Sequence, residues 1–178
     1  DLPVRSGLAA LTEALRATGT AVVQSPPGSG KTTLVPPAVA LAVAPGGGGR
    51  VVVTQPRRIA ARAAASRLAH LLGEPVGQTV GYAVRGDRRT SSSTRIEVVT
   101  SGLLLRRLQG DPGLDGVAAV VLDEVHERAL DSDLLLALLL DVRGALREDL
   151  SLVAMSATVE AERFASLLGG AGVVDVPG

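Results

Sequence analysis

The sequence predicts an α/β fold: a mainly parallel sheet with helices on both faces, stacked as a three-layer α/β/α sandwich. Three observations carry that expectation. Apolar runs of strand length alternate with helix-permissive stretches along the whole 178 residues. The main runs, at Thr20–Gln24, Arg50–Thr54, Val117–Leu122 and Leu150–Met155, are almost continuously apolar, as strands buried on both faces are. The first run also passes into its helix through a glycine-rich turn, Ser25-Pro26-Pro27-Gly28-Ser29-Gly30, that ends in Lys31-Thr32-Thr33.

Taken in order, Leu8, Leu11 and Leu15 lie at helical spacing over residues 6–18, and Gly19 is a stop signal. After the strand at 20–24 and its turn, a helix begins near Lys31. Pro36-Pro37 is expected to disturb it before it resumes to Ala44. Gly46–Gly49 reads as a surface connector. The strand at 50–54 leads through Gln55-Pro56-Arg57-Arg58 into an Ala-rich helix that runs to about Leu72 and is closed by Gly73. Residues 75–85 hold a short strand, and the polar stretch Asp87–Ser93 reads as an exposed loop. A strand at Thr94–Thr100, a short helix at Gly102–Gln109 and the turn Asp111-Pro112-Gly113 precede the strand at 117–122. A long apolar helix capped by Asp131, a strand at 150–155, a helix at 160–168 and a strand at 173–176 complete the pattern. No internal repeat or break in composition divides the chain, so residues 1–178 are expected to form one domain.

Composition narrows the function. Hydrophobic residues make up 46% of the chain but aromatics only 1%, with Tyr82 and Phe164 alone, so the core must be built from Ala, Val and Leu. Aromatic platforms for stacking bases are nearly absent. Formal net charge is zero, so any contact with a polynucleotide must be local, from arginines and backbone N–H groups. There is no cysteine, which excludes disulfides and thiolate metal sites. No basic segment followed by an apolar run and a cleavage site opens the sequence, and Leu134–Leu140 is too short to span a bilayer, so the expected location is cytoplasmic, with no membrane partner.

The glycine-rich turn is a phosphate-binding loop in its chemistry. Gly28 and Gly30 let the backbone curl so that successive N–H groups converge on an anion, and the following helix adds its positive end. Lys31 can reach β- and γ-phosphates, and the Thr32 hydroxyl can ligate magnesium. Ser25 stands where the general pattern GxxxxGK[ST] has its first glycine. Of the 18 basic residues Lys31 is the only lysine; a chain that otherwise writes its cations as arginine keeps a compact point charge for this position.

Leu122-Asp123-Glu124-Val125-His126 follows a buried strand, at the sheet edge where ligands bind in open α/β folds. Asp123 is placed to hold magnesium, partly through water, and Glu124 to orient and deprotonate an attacking water. Ser156 and Thr158 end the next strand without a neighbouring base and suit hydrogen-bonding relays better than nucleophiles. Thr54-Gln55-Pro56-Arg57-Arg58 and Thr100-Ser101-Gly102 also follow strands. Hydroxyls, arginines and helix starts on one edge suit a polynucleotide backbone. His70 has no evident partner and is given no role.

Read as a series, these segments resemble the first RecA-like lobe of a superfamily 2 helicase of the DEAH/DExH-box class, closest to the bacterial HrpB-type ATP-dependent helicases. Motif I corresponds to Pro27-Gly28-Ser29-Gly30-Lys31-Thr32-Thr33, motif Ia to Thr54–Arg58, motif Ib to Thr100–Leu104, motif II to Asp123–His126 and motif III to Ser156-Ala157-Thr158; Val80–Arg85 matches a further segment of the class. The resemblance implies a RecA-like phosphate-loop NTPase fold with ATP and Mg2+ as cofactors. Pro27 to Thr33 would hold the nucleotide and Arg67 would stack on the adenine. Thr32 and Asp123 would hold magnesium, while Lys31, Asp123, Glu124 and His126 would serve catalysis. Arg57, Arg58 and Thr100 would touch single-stranded RNA or DNA, and Ser156 and Thr158 with His126 would couple nucleotide state to strand binding. Motif II reads Asp-Glu-Val-His rather than Asp-Glu-Ala-His, and Ser101 stands where relatives usually carry an acid. The family also implies a second RecA-like lobe and C-terminal regions absent from this chain, with arginine fingers that complete the ATP site. The isolated piece is therefore expected to turn over little nucleotide.

Overall fold

Strand and helix alternate as the sequence predicts, and they do so in one sheet. The computed structural model of the chain describes residues 7–24, 31–44, 48–123, 130–156, 161–169 and 172–175, with the side chains at 130–133, 161–163 and 175 excepted. The strands are β1 (Thr20–Gln24), β2 (Arg50–Gln55), β3 (Val80–Val84), β4 (Asp87–Arg89), β5 (Ile96–Thr100), β6 (Val117–Leu122), β7 (Ser151–Ser156) and β8 (Gly172–Asp175). They lie in the order β4-β3-β5-β2-β6-β7-β1-β8. The β3–β4 pair is antiparallel, and the other pairings are parallel.

The unbroken apolar runs are explained by what covers the sheet. Ala21, Val23, Val51, Val53, Ala119, Val121, Val153 and Met155 point to one face, where they meet α1 (Leu8–Thr18), α2 (Lys31–Val43) and α3 (Arg58–Leu71) through Leu11, Leu15, Val35, Val39, Ala61 and Leu68. The intervening Val22, Val52, Val120, Leu122, Leu152 and Ala154 point to the other face. There α4 (Ser101–Gly110), α5 (Leu130–Ala145) and α6 (Ala161–Leu167) contribute Leu104, Leu108, Leu135, Leu139 and Phe164. The central strands β1, β2, β6 and β7 thus feed two cores, which is why their runs are apolar on both faces. Gly19 ends α1 in the left-handed region at φ 77°, its N–H returning to the Leu15 carbonyl. None of the helices, among the described residues, is long and apolar enough to cross a membrane.

Two local expectations are corrected. Pro36 and Pro37 do not interrupt α2, which is continuous from Lys31 to Val43. Proline's fixed φ is itself helical, and Val35, Pro36 and Val39 are buried against the core, so packing holds the helix despite two missing N–H groups. Asp87–Ser93 is not wholly a loop either: Asp87–Arg89 forms β4, paired with Tyr82–Val84. Its charged side chains hide it from a reading by pattern, since an edge strand draws its hydrogen bonds from one neighbour and keeps its residues in water. The close approach of the two strands explains Gly81, where a Cβ would collide with the Arg89 carbonyl. Asp131, expected to cap the long helix, lies inside α5, which includes Leu130, and its side chain is outside the described set.

Candidate nucleotide and nucleic-acid site

Parallel strands put their carboxyl ends on one edge. Along it, in spatial order, stand Thr100 at the end of β5, Gln55 at the end of β2 with Arg57 beyond it, Asp123 after β6, Ser156 at the end of β7 and Gln24 at the end of β1. Register aligns these ends closely: Gln55 is level with Thr100, Thr54 with Leu122 and Gln24 with Ser156. Thr100, Arg57, Asp123 and Ser156, singled out from sequence, are therefore placed on one edge by topology rather than by proximity in the chain.

Asp123 is the hub. It is 3% exposed and directly follows β6, and its N–H donates to the Thr54 carbonyl at 3.3 Å. The Thr32 hydroxyl donates to Asp123 Oδ2 at 3.0 Å, and the Gln55 side-chain amide donates to the same oxygen at 2.6 Å. Thr32 lies in the first turn of α2, so the helix that receives the phosphate-loop connection also reaches the acid 91 residues later. A hydroxyl that gives its proton to a carboxylate keeps its lone pairs for a cation. Hydroxyl and carboxylate oxygens form the hard donor set that magnesium takes, so these residues fit that ion. Lys31 opens α2 and is only 6% exposed, which brings an ammonium almost wholly inside the protein at this edge.

Thr33, Ser66, Arg67, His70 and Leu71 line a cavity of about 470 Å³ between α2 and α3. Arg67 thus shares its cavity with a residue two positions from Lys31. His70, to which the sequence assigned no role, lies on the same wall. A larger cavity, about 680 Å³, lies where the strands begin and includes Asp115, Gly116, Arg147 and Asp149. Arg147 spends its donors there on the Gly113, Leu114 and Val117 carbonyls and on Asp149, which makes it a strut between loops.

On the other flank of the edge, Arg57 is exposed and sits at the N-cap of α3, and Arg58 is exposed with one guanidinium nitrogen on the Arg85 carbonyl at 3.2 Å. Thr100 caps α4 by accepting from the Leu103 N–H at 3.4 Å, which leaves its own proton to donate. Ser101 is buried, and its hydroxyl donates to the Gln55 carbonyl at 3.5 Å. Ser156 is fully buried at the end of β7. Pro27, Gly28, Ser29, Gly30, Glu124, His126 and Thr158 lie outside the described residues. Sequence reasoning quoted Gln55 only as part of a segment and missed its contact with Asp123. The signal that could have found it is an amide at the end of one strand, beside another strand that ends in an acid.

Comparison with known proteins shows the family. The family described as DEAD/DEAH box helicase matches residues 8–166. The chain is 47% identical over 174 residues to the ATP-dependent RNA helicase HrpB of Escherichia coli (strain K12), covering 98% of this chain and 21% of that protein. It is 42% identical over 180 residues to the DExH-box ATP-dependent RNA helicase DExH3 of Arabidopsis thaliana, covering 99% of this chain and 15% of the relative. The crystal structure of the Escherichia coli DEAH/RHA helicase HrpB superposes with a TM-score of 0.92 at 46% identity, covering 100% of this chain and 22% of that one. The chain therefore spans about a fifth, or less, of the length of these relatives.

Proposed function

We propose, for a chain that belongs to the DEAD/DEAH box helicase family, that residues 1–178 are the ATP-binding, first RecA-like lobe of a longer ATP-dependent helicase acting on single-stranded RNA or DNA. The observation that carries this reading is the 3.0 Å contact between Thr32 and Asp123, which joins the helix after the phosphate-loop segment to the acidic turn. A turn that was only glycine-rich would have no reason to aim a hydroxyl at a buried carboxylate.

In this reading the N–H groups of Pro27–Thr33 (the proline excepted) and the Lys31 ammonium hold the β- and γ-phosphates. Thr32 and Asp123 hold magnesium, which supplies charge neutralisation to the transferring phosphoryl group. Glu124 orients a water and takes its proton as that water attacks. Arg67 covers one face of the adenine. Arg57, Arg58 and Thr100 grip the sugar–phosphate backbone, where positioning rather than base reading is needed. His126, Ser156 and Thr158 stand between the two tasks and relay the state of one to the other. The relatives' length supports a second lobe as partner. An arginine finger from such a lobe is worth about 10³–10⁵ in rate, so residues 1–178 alone would turn over ATP very slowly.

Replacing Glu124 by Gln in the full-length protein tests the assignment. ATP binding is expected to persist, while phosphate release falls by about 10²-fold or more, within the range a positioned general base contributes. Unchanged hydrolysis would remove Glu124 from the base role.

A further inference from the structure

Two side chains donate to the Asp123 carboxylate on the same oxygen. Thr32 comes from the first turn of α2. Gln55 comes from the end of β2 and is itself only 4% exposed. Its 2.6 Å contact is the shorter of the two. In this contact Gln55 acts through its amide nitrogen, a group that only donates, so what it gives Asp123 is orientation. Gln55 also belongs to the other function of this edge. The next residues, Pro56, Arg57 and Arg58, turn the chain into α3. The Gln55 carbonyl accepts from Ser101, and its backbone is level with Thr100. Proline at 56 restricts the conformation of Gln55, so a shift in the arginine turn is passed to Gln55 rather than absorbed beside it.

We propose that Gln55 is a positioning residue: it orients Asp123 for magnesium and links the strand-contacting turn to that carboxylate. The inference rests on the reading of Asp123 as a magnesium-holding group. Partners that orient a metal ligand typically contribute 10–100-fold to metal affinity or activity. A link of this kind also predicts that contact with a polynucleotide at Arg57, Arg58 and Thr100 moves the Asp123 carboxylate through Gln55. Strand binding would then change how well magnesium and ATP are held, and the converse, since the coupling is reciprocal.

The test compares the full-length protein with its Gln55→Met and Gln55→Leu variants, which keep bulk and remove the donor. Binding of a fluorescent ATP analogue is titrated with magnesium and again in EDTA, and phosphate release is measured with and without single-stranded RNA. Three results are expected together. Binding in EDTA is unchanged, the half-saturating magnesium concentration rises about tenfold, and RNA stimulation falls about tenfold while RNA binding without nucleotide is retained. An unchanged magnesium requirement overturns the positioning role. A raised requirement with full stimulation overturns the link. Loss of binding in EDTA in both variants assigns Gln55 to packing and overturns the proposal as well. If the unaltered protein binds the analogue equally with and without magnesium, the reading of Asp123 itself fails, a different outcome from failure of Gln55 alone.

Discussion

Asp123 shows what a single residue owes to its setting. The side chain is buried, and Thr32 and Gln55 both donate to its Oδ2, an oxygen of the carboxylate that the proposed function assigns to magnesium. Asn in its place has almost the same shape but no charge. The Asp123→Asn variant is expected to bind ATP in EDTA like the unaltered protein and to lose hydrolysis by about a hundredfold or more, since several kcal/mol of metal-borne charge stabilisation go with the carboxylate. Phosphate release at saturating ATP and magnesium measures it; hydrolysis within a few fold of normal would place the ion elsewhere. Lys31, Thr32 and Asp123 were legible in the sequence because clustered glycines, a lone lysine and an acid after a buried run all suit one chemistry, the binding of a phosphate with its metal. Gln55 was not legible. Its meeting with Asp123 depends on β2 lying beside β6, and strand order is not written in any local pattern.

At the scale of elements, α4 is fastened to the sheet by a buried charge. Glu97 on β5 is 1% exposed, and Arg107 of α4 forks onto both its oxygens at 2.8 and 2.7 Å while Arg50 of β2 adds a third bond at 3.2 Å. Burial alone would raise the Glu97 carboxyl; the hydrogen bonds and charge of Arg107, with those of Arg50, overcome it and hold the group below its ordinary value of 4.5. The sign follows. A carboxyl depressed in the folded state stabilises the fold at pH values above the unfolded pKa, and that contribution is lost as pH falls through the folded one. Arg107→Leu leaves the acid half-paired inside the protein and is expected to cost about 3 kcal/mol at neutral pH. The penalty should shrink as pH falls, because a protonated Glu97 no longer needs the guanidinium. Thermal melts at pH 7 and near pH 4 check both; an unchanged melting temperature at neutral pH would make the ion pair incidental. The elements themselves were mostly readable, since seven of the eight described strands carry apolar runs, and a helix separates each from the next except β3 from β5. The misreadings share one cause. Polar β4 and proline-bearing α2 are held by neighbours, through strand pairing and core packing respectively, and local propensity does not register neighbours.

The whole molecule turns a chemical series into a spatial one. Because the strands after β4 in the sheet all run the same way, their carboxyl ends form one edge. Along that edge the arginine turn and Thr100 stand at one side, Asp123 between, and the strand leading to the phosphate-loop segment beyond Ser156. A polynucleotide and a nucleotide bound to that edge would lie on either side of a shared carboxylate, which is the geometry a strand-coupled ATPase requires. The fold class, the layers and the edge followed from alternation and from doubly buried strands, whereas the order of strands along the edge needed the three-dimensional structure. The proposed function has this edge clasp the phosphates of ATP with a buried ammonium beside a magnesium-ready acid. It is tested most directly by titrating fluorescently labelled ATP, with magnesium, into the full-length protein and its Lys31→Ala variant. Saturable binding that the variant lacks, or shows only at concentrations at least about a hundredfold higher (about 2.7 kcal/mol), is the expected result; equal binding by the two proteins would contradict the account.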